Sequence, residues 1–385
     1  VFLHLLHFLH CHLIQGTITF SAKTAEIKGI AVRTDNPCAS KPLEVRVEDA
    51  LKRLTVEEKV AMLHAQSKFS SPGVPRLGIP EFWMTDGPHG IRPEVLWDEW
   101  NQAGWTNDSC VAFPALTCLA ATWNPEMSML YGKSIGEEAR YRNKTVLLGP
   151  GVNIYRTPLN GRNFEYFSED PYLTGTMAAA QLKGMGKYGV TGTIKHFACN
   201  NQEFKRHDAN AIVSERALRE IYLKGFEIAV KQGGAYSIMS TYGPVNGLWT
   251  AGSYDLLTTI LRKEWGYQGI VMTDWWAKIN EEGEPGSGKQ TIPMVRAQND
   301  IYMVTADAAS NSNKDNTAEG LADGRLTRAQ LMRNAANICC FLLRSVAMER
   351  LLGREEEECM ELHSPVSTEG AGDSGQVLAL SLIHI

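Results

Sequence analysis

Gly269-Ile270-Val271-Met272-Thr273-Asp274-Trp275-Trp276 is the stretch that decides the fold prediction for this chain. Apolar residues at 270–272 lead into a carboxylate, with no polar residue alternating among them. Such a continuous apolar run is typical of a strand that is buried on both faces of a parallel sheet. In α/β proteins the carboxyl ends of these strands carry the chemistry. Asp274 is therefore the candidate nucleophile.

The same pattern recurs upstream, where short apolar segments each end in a polar residue. The segments at 82–85, 193–194 and 237–241 run into Asp86, Lys195-His196 and Tyr242. Helical stretches separate them, and strands that alternate with helices are typical of a (β/α) barrel. The predicted fold class is therefore α/β, a (β/α)8 TIM-like barrel whose mouth collects these polar residues. Ile301-Tyr302-Met303-Val304 is one more strand candidate.

Length and charge favour one large domain that acts on a small neutral substrate. The chain has 385 residues and a net charge of −5, with both signs interspersed. Barrels of this size are commonly one domain, and the lack of a Lys/Arg cluster argues against binding of nucleic acid or an anionic membrane. We predict an N-terminal segment at 1–40 that is poorly ordered, a barrel at 41–353 and a disordered or truncated tail at 354–385.

The eight cysteines are scattered and show neither Cys-x-x-Cys nor Cys/His ligand spacing. This pattern argues against a zinc site and against a disulfide framework. We expect mostly core thiols, with no metal and no cofactor.

Residues 1–14 are apolar, interrupted by four histidines, and open on Val rather than Met. Their length suits the apolar region of an export signal, but the basic region that precedes such a segment is missing. A clipped signal and non-native sequence are equally compatible with this pattern, so localisation stays open, with a secreted or periplasmic location slightly preferred over the cytoplasm. No other stretch of the sequence is apolar enough to span a bilayer.

One loop and one strand end place further polar groups at the predicted mouth. Arg162 offers a rigid fork of donors that suits two neighbouring sugar hydroxyls, and Glu165 is its candidate ion-pair partner. Lys195 and His196 are adjacent, so both reach a ligand only if their strand bends or bulges. Neighbouring basic groups in a half-buried site predict carboxylates facing them, and Asp86 and Asp274 are available.

Tryptophans cluster near these polar groups. Three lie between Leu96 and Asp108, and two directly follow Asp274. Indole rings beside polar groups suit sugars, whose C–H faces pack on aromatic rings while their hydroxyls form hydrogen bonds. A role in the core is an equally good interpretation for one or two of the first three.

Four motifs in this order resemble glycoside hydrolase family 3, the β-glucosidases and β-xylosidases. They are TDGPHGIR at 85–92, GRNFEYFSEDP at 161–171, KHFACNNQE at 195–203 and VMTDWW at 271–276, within a resemblance that runs from about Val45 to Gly353. The resemblance implies an exo-acting retaining glycosidase that releases terminal non-reducing β-D-glucosyl residues from oligosaccharides through a glycosyl-enzyme on Asp274. It also implies a first sugar subsite, formed by Asp86, Arg162, Lys195, His196 and Tyr242.

The resemblance suggests roles for other groups around the nucleophile. Lys195 is expected to lower the pKa of Asp274 by opposite charge, and His196 to donate to a ring hydroxyl. Trp275 or Trp276 is expected to form a wall for the next sugar. Family members usually carry the acid/base Glu on a second, α/β sandwich domain. We expect a barrel without that domain, as in a fragment or composite, because no sandwich pattern follows Gly353.

Three alternatives remain open at this stage. Xylose differs from glucose by one hydroxymethyl group, so a β-xylosidase or a bifunctional enzyme is one. The second is a β-N-acetylglucosaminidase that uses a His207-Asp208 dyad. Against it, Cys199-Asn200-Asn201 replaces the Gly-His-Gly turn that this branch of the family carries. The other interpretation of His207 and Asp208 is a surface salt bridge. The third is a barrel that binds sugar without turnover because its acid is missing.

Overall fold

The computed structural model describes residues 18–21, 24–27, 30–32, 42–104 and 110–352. Residues 1–14, for which an export signal and non-native sequence are both open, and the C-terminal tail at 354–385 lie outside these residues, so the domain boundaries remain predictions. Three short strands at 18–32 form a separate antiparallel sheet. In the described part of the chain, no helix is long and apolar enough to cross a membrane.

The main sheet is curled and mostly parallel, with helices around it, which confirms the α/β barrel prediction. The strands are β1 Ile18–Ser21, β2 Thr24–Ile27, β3 Ile30–Val32, β4 Ser70–Ser71, β5 Phe82–Asp86, β6 Val146–Leu148, β7 Thr191–Phe197, β8 Ser237–Ser240, β9 Pro244–Val245, β10 Leu248–Trp249 and β11 Ile270–Met272. Six of them form the main sheet in the order β11-β8-β7-β6-β5-β4. In detail the sheet departs from an eightfold repeat, because β4 pairs antiparallel with β5.

Backbone hydrogen bonds close the sheet through two segments that are too short to form full strands. The Thr273 amide donates to the Ile301 carbonyl at 2.9 Å, which joins β11 to the next segment. The Tyr302 amide donates to the Leu63 carbonyl at 2.8 Å, and the chain continues from there into β4. The predicted strand at 301–304 is thus present as isolated bridges that complete the barrel.

Side chains alternate between the two faces of the barrel strands. Val146 and Leu148 of β6 belong to one apolar cluster, whereas Leu147 between them packs into the other, beneath the helices. In β11, Met272 shares the cluster of Leu148, and Val271 lies in the opposite one. Because the side-chain period of a strand is two residues, Asp274 follows Met272 toward the inner face.

The helices cover the outer face of the sheet. They are α1 Leu43–Arg53, α2 Val56–Met62, α3 Leu116–Ala120, α4 Pro125–Tyr141, α5 Pro171–Gly186, α6 Glu215–Ala217, α7 Lys224–Lys231, α8 Thr291–Ala297, α9 Thr317–Ala322, α10 Arg328–Arg344 and α11 Val346–Leu351. Thr55 and Thr327 form the capping boxes that their spacing to Glu58 and Gln330 predicts. These boxes satisfy orphan amides at the start of α2 and α10.

One helical stretch deviates from the regular period. The sequence predicts a single helix at 215–231 with Ile221 facing inward. In the structure, residues Leu218–Tyr222 between α6 and α7 are π-helical. Asp255–Glu264 form a second π-helical segment. Ile221 is 40% exposed, so its predicted inward position is wrong. The wider π turn breaks the 3.6-residue period on which that prediction depended.

The prediction of mostly core thiols holds for three of the five described cysteines, because Cys339 lies in an apolar core cluster and Cys199 and Cys340 pack against one. Cys339 is buried, Cys110, Cys199 and Cys340 are half-buried, and Cys118 is exposed. Composition shows how many thiols the chain has, but their burial depends on which helix face or loop carries them.

A buried carboxylate anchors the start of the strand that leads to Asp274. Asp300 accepts hydrogen bonds from the Val271 amide at 2.8 Å, the Arg262 guanidinium at 2.7 Å and the Asn337 amide at 2.8 Å. Burial raises the pKa of Asp300 to about 6, while the Arg262 charge opposes the rise, so the carboxyl is ionised at neutral pH. Asp300 therefore ties β11 to α10 through a charged, fully buried group.

We predict that Asp300→Ala lowers the free energy of unfolding by about 3–5 kcal/mol, because it leaves Arg262 buried without its counter-charge. The matched control is Asp323→Ala, which breaks an exposed pair with Arg325 and should change stability little. Urea unfolding at neutral pH measures both. Equal effects of the two substitutions would show that Asp300 is not an anchor.

Candidate active site

The sequence-predicted residues come together in one pocket of about 260 Å³ at the carboxyl ends of the strands. Its lining consists of Phe69, Asp86, Trp100, Leu148, Arg162, Lys195, His196, Arg206, Met239, Tyr242, Asp274, Trp275 and Trp276. All seven predicted site residues are among them. A larger groove of about 470 Å³ on the outer helices contains none of them and is lined largely by charged side chains.

Asp274 lies at the end of β11 with one carboxylate oxygen held and the other turned to the pocket. Oδ1 accepts the Trp275 amide at 2.8 Å, and Oδ2 lies 3.6 Å from His196 Nε2. Among the described residues Oδ2 has no partner that meets hydrogen-bond geometry. Burial raises the pKa of Asp274 above its ordinary value, although Arg162 and Lys195 oppose the rise. The charge of Lys195 acts to lower the pKa of Asp274, as expected, but desolvation outweighs it and the net shift is upward.

A bulge in β7 turns both Lys195 and His196 into the pocket. The register with β8 shifts between Ile194 and Phe197, so the strict alternation of side chains is lost at these two residues. Lys195 and His196 are 3% and 1% exposed, so protein groups rather than water must supply their hydrogen-bond and charge partners. Burial, followed by the charges of Arg162 and Lys195, holds the pKa of His196 well below its usual range. His196 is therefore neutral at physiological pH.

Carboxylates face the cationic groups, as the sequence predicts. Lys195 Nζ donates to Asp86 Oδ1 at 3.3 Å and lies 3.8 Å from Glu165 Oε2. Arg162 is hydrogen-bonded to Glu165 and lies 4.0 Å from a Glu203 oxygen. Burial acts to raise the pKa of Asp86. The positive charge of Lys195 acts in the opposite direction and, with smaller contributions from Arg92 and Arg162, leaves that pKa below its ordinary value. The Asp86 side chain keeps 42% of its surface open and remains ionised.

Aromatic rings form one wall of the pocket. Trp275 is 6% exposed, with its indole N–H donating to the Lys68 carbonyl at 3.0 Å, whereas Trp276 is 46% exposed. Trp100 lies 6.1 Å from Trp276, ring centre to ring centre. Trp97 packs on Trp83 rather than lining the pocket, and Trp105 lies outside the described residues. The wall therefore combines one buried indole with two open ones.

Sequence reasoning missed Phe69 and assigned no role to Arg206. The Arg206 guanidinium lies 4.6 Å from the Tyr242 ring centre and donates to Glu203 at 2.8 Å. Its position in the polar loop after the Lys195-His196 strand was the only available signal. Phe69 comes from the turn before β4 and packs on Trp275 at 5.6 Å, a contact that spans most of the chain.

The His207-Asp208 dyad is not formed. Asp208 accepts a hydrogen bond from Lys278 at 2.6 Å, and 56% of its side chain is exposed. The His207 ring packs on the Tyr242 ring at 4.1 Å between centres. Asp208 is thus in a surface ion pair, which was the alternative interpretation. In the described parts of the chain, no group of three or more His, Cys, Asp or Glu side chains is arranged to hold a metal ion.

We predict that Lys195→Met raises the pKa of Asp86 and raises that of Asp274 less, because Lys195 is the main charge that opposes burial at Asp86 only. Asp86 then takes up its proton at a higher pH than in the wild type. Carboxyl-carbon NMR titration of Asp-labelled protein measures both groups. Lys278→Met, which frees the surface Asp208, is the control that should move neither pKa. A larger shift at Asp274 than at Asp86 would contradict this assignment of charges.

Comparison with known proteins places this pocket in a family. Residues 51–340 match the family model described as Glycosyl hydrolase family 3 N terminal domain. Beta-glucosidase BoGH3A of Bacteroides ovatus is 59% identical over 238 residues, or 62% of this chain and 32% of that protein. A beta-glucosidase of Ruminococcus albus is 52% identical over 304 residues, or 79% of this chain and 31% of that protein.

A solved structure shows the same fold. The crystal structure of a beta-glucosidase from Paenibacillus barengoltzii superposes with a TM-score of 0.73 at 47% identity, covering 82% of this chain and 35% of that one. The chain thus spans about a third of the length of the curated relatives it matches. Because the family match covers most of its length, the chain belongs to glycosyl hydrolase family 3.

Proposed function

We propose that this chain provides the nucleophile and first sugar subsite of a retaining β-glucosidase that releases terminal non-reducing β-D-glucosyl residues. The observation that carries the proposal is the buried Asp274 carboxylate, with Oδ1 fixed and Oδ2 facing a pocket that is ringed by cationic and hydrogen-bonding groups. A pocket of about 260 Å³ suits one sugar ring, which favours attack at a chain end. The beta-glucosidase names of the relatives support glucose as the sugar.

The chemistry assigned to Asp274 is nucleophilic displacement at the anomeric carbon. Oδ2 forms a bond to that carbon while the bond to the glycosidic oxygen breaks, and the leaving group takes a proton from an acid. Water then attacks the glycosyl-enzyme, loses its proton to the same group and releases Asp274. The raised pKa of Asp274 makes the carboxylate more basic than an exposed Asp, and burial keeps water from solvating it.

The remaining pocket groups are assigned to binding of the sugar. Asp86 accepts hydroxyl hydrogens, since Lys195 keeps it ionised, and Arg162 and Lys195 donate to hydroxyl oxygens. His196 donates without adding a charge. Trp276 and Trp100, which are about half exposed, give the next sugar or an aryl group an apolar face.

The carboxyl groups that line the described pocket are both assigned to other roles, so neither is available as the acid for the leaving group. Asp86 and Asp274 are the carboxyl groups that line the described pocket, and one is held ionised while the other is the nucleophile. Glu165 and Glu203 lie behind it, hydrogen-bonded to Arg162 and Arg206. This arrangement also keeps a second function open, sugar binding without turnover by the chain alone.

We predict that Asp274→Asn abolishes covalent labelling by a 2-fluoro glucoside inactivator, because an amide cannot form the glycosyl ester. Mass spectrometry of intact protein and of its peptides measures the label. Asp208→Asn, in the surface pair with Lys278, is the matched control and should label like the wild type. A label on another peptide, or one that survives Asp274→Asn, would falsify the assignment of the nucleophile.

We predict that the 385-residue chain cleaves a dinitrophenyl β-glucoside but leaves cellobiose nearly intact. The first leaving group departs without a proton, whereas general acid assistance contributes about 10²–10⁴-fold for the second. Added azide should speed turnover, because it attacks the glycosyl-enzyme without a base. Comparable hydrolysis of cellobiose with a bell-shaped pH profile would instead place an acid within the chain, with Glu203 and His207 the first positions to mutate. Glucose binding without any turnover would support the sugar-binding alternative.

A further inference from the structure

We propose that Tyr166 and Asn200 are positioning residues that hold His196 as the tautomer with its hydrogen on Nε2, the ring nitrogen that faces Asp274. Neither residue lines the described pocket. Both are buried directly behind it, with 0% and 5% of their surfaces exposed. Their effect on the site therefore passes through His196.

The orientation of the Asn200 side-chain amide follows from its neighbours. Asn200 Nδ2 lies 2.8 Å from the Tyr166 hydroxyl oxygen and 3.3 Å from Glu203 Oε1. A carboxylate oxygen only accepts hydrogen bonds, so the Asn200 atom beside it is the NH2 group. Arg206 holds that carboxylate in place through the other oxygen of Glu203, at 2.8 Å. Asn200 therefore donates to Tyr166.

The single hydrogen of the Tyr166 hydroxyl is then directed to His196. The hydroxyl oxygen lies 3.2 Å from His196 Nδ1. Among the described residues, Asn200 and His196 are the hydrogen-bond partners of this oxygen, and Asn200 donates to it. His196 Nδ1 is therefore the acceptor for the buried Tyr166 hydrogen, because a hydrogen on Nδ1 would leave that hydroxyl hydrogen without a partner. A neutral imidazole with a bare Nδ1 has its hydrogen on Nε2. Burial raises the pKa of Tyr166 and lowers that of His196, so the phenol keeps its hydrogen and the ring stays neutral.

This tautomer matches what His196 faces. Nε2 lies 3.6 Å from Asp274 Oδ2, so the arrangement presents N–H rather than a lone pair to the carboxylate side of the pocket. Asn153 fixes the residue itself, accepting from the His196 amide at 2.7 Å and donating to its carbonyl at 2.9 Å. The benefit for catalysis, an uncharged donor to a sugar hydroxyl, depends on the proposed function. The tautomer does not.

The experiment is nitrogen-15 NMR of histidine-labelled protein, using the full 385-residue chain. His196→Gln identifies the His196 signals, and the two-bond couplings show which nitrogen carries the hydrogen. In the wild type we expect hydrogen on Nε2 and an Nδ1 signal shifted by an accepted hydrogen bond. Asn200→Asp should reverse the chain of donors, because the introduced carboxylate accepts the Tyr166 hydrogen. The Tyr166 oxygen then accepts from Nδ1–H, and the tautomer switches.

Asn201→Asp is the matched control, since it adds the same charge at the neighbouring position without a contact to Tyr166. It should leave the His196 tautomer unchanged. Glu203 Oε1 lies 3.3 Å from the atom replaced in Asn200→Asp, so repulsion raises the pKa of the introduced carboxyl, and a pH series followed at its carboxyl carbon shows where it is ionised. In turnover of an aryl β-glucoside, Asn200→Asp should lower kcat/KM about two- to ten-fold, the effect of one misdirected hydrogen bond, and Asn201→Asp should not.

The outcomes separate this inference from the proposed function. Hydrogen on Nδ1 in the wild type overturns the inference, and so does a folded Asn200→Asp variant whose tautomer stays on Nε2 with its carboxyl ionised. A tautomer switch in a chain that has no glycosidase activity supports the inference and counts against the function. Because the wild-type spectrum decides by itself, a variant that fails to fold leaves the test intact.

Discussion

Burial of the Asp274 carboxylate is the constraint on which the rest of the site depends. A carboxylate in a low-dielectric site is unstable unless cations or donors face it. Here Arg162, Lys195 and Arg206 all oppose the rise in its pKa, and the Trp275 amide holds one oxygen. These cations are in turn paired with Asp86, Glu165 and Glu203. The buried Asp274 carboxylate is thus surrounded by cations, and those cations by carboxylates that balance their charge.

The backbone departs from regular geometry where these groups must converge. The bulge in β7 brings Lys195 and His196 to the same side, which an ideal strand forbids. Trp276 has a φ of 57°, in the left-handed region that non-glycine residues rarely adopt. That conformation comes directly after Asp274 and Trp275, and it leaves Trp276 half exposed beside Trp100. Strain of this kind persists where surrounding contacts over-determine it.

The site is also tied to distant parts of the barrel. Asp300 links the strand of Asp274 to Arg262 and to α10, and Glu203 links Arg206 to Asn200 and through Tyr166 to His196. The first network fixes the backbone that carries Asp274. The second fixes the hydrogens of a neutral ring. The Asp300 carboxylate oxygens and the Tyr166 hydroxyl all have hydrogen-bond partners, whereas Arg262 Nε has none among the described residues. Paired buried groups of this kind specify one arrangement.

The sequence by itself determined the strand ends, because a run of apolar residues that stops at one polar residue is a local pattern. Asp274, Asp86 and the Lys195-His196 pair were identifiable on that basis, as were the capping boxes of α2 and α10. Only the tertiary structure decided the sign of the Asp274 pKa shift, the role of Phe69 and the partners of Tyr166. The physical reason is the sequence separation over which each signal acts, because strand and cap signals depend on residues that are only a few positions apart. Desolvation and hydrogen-bond direction depend instead on groups that the closed barrel brings together from across the whole chain.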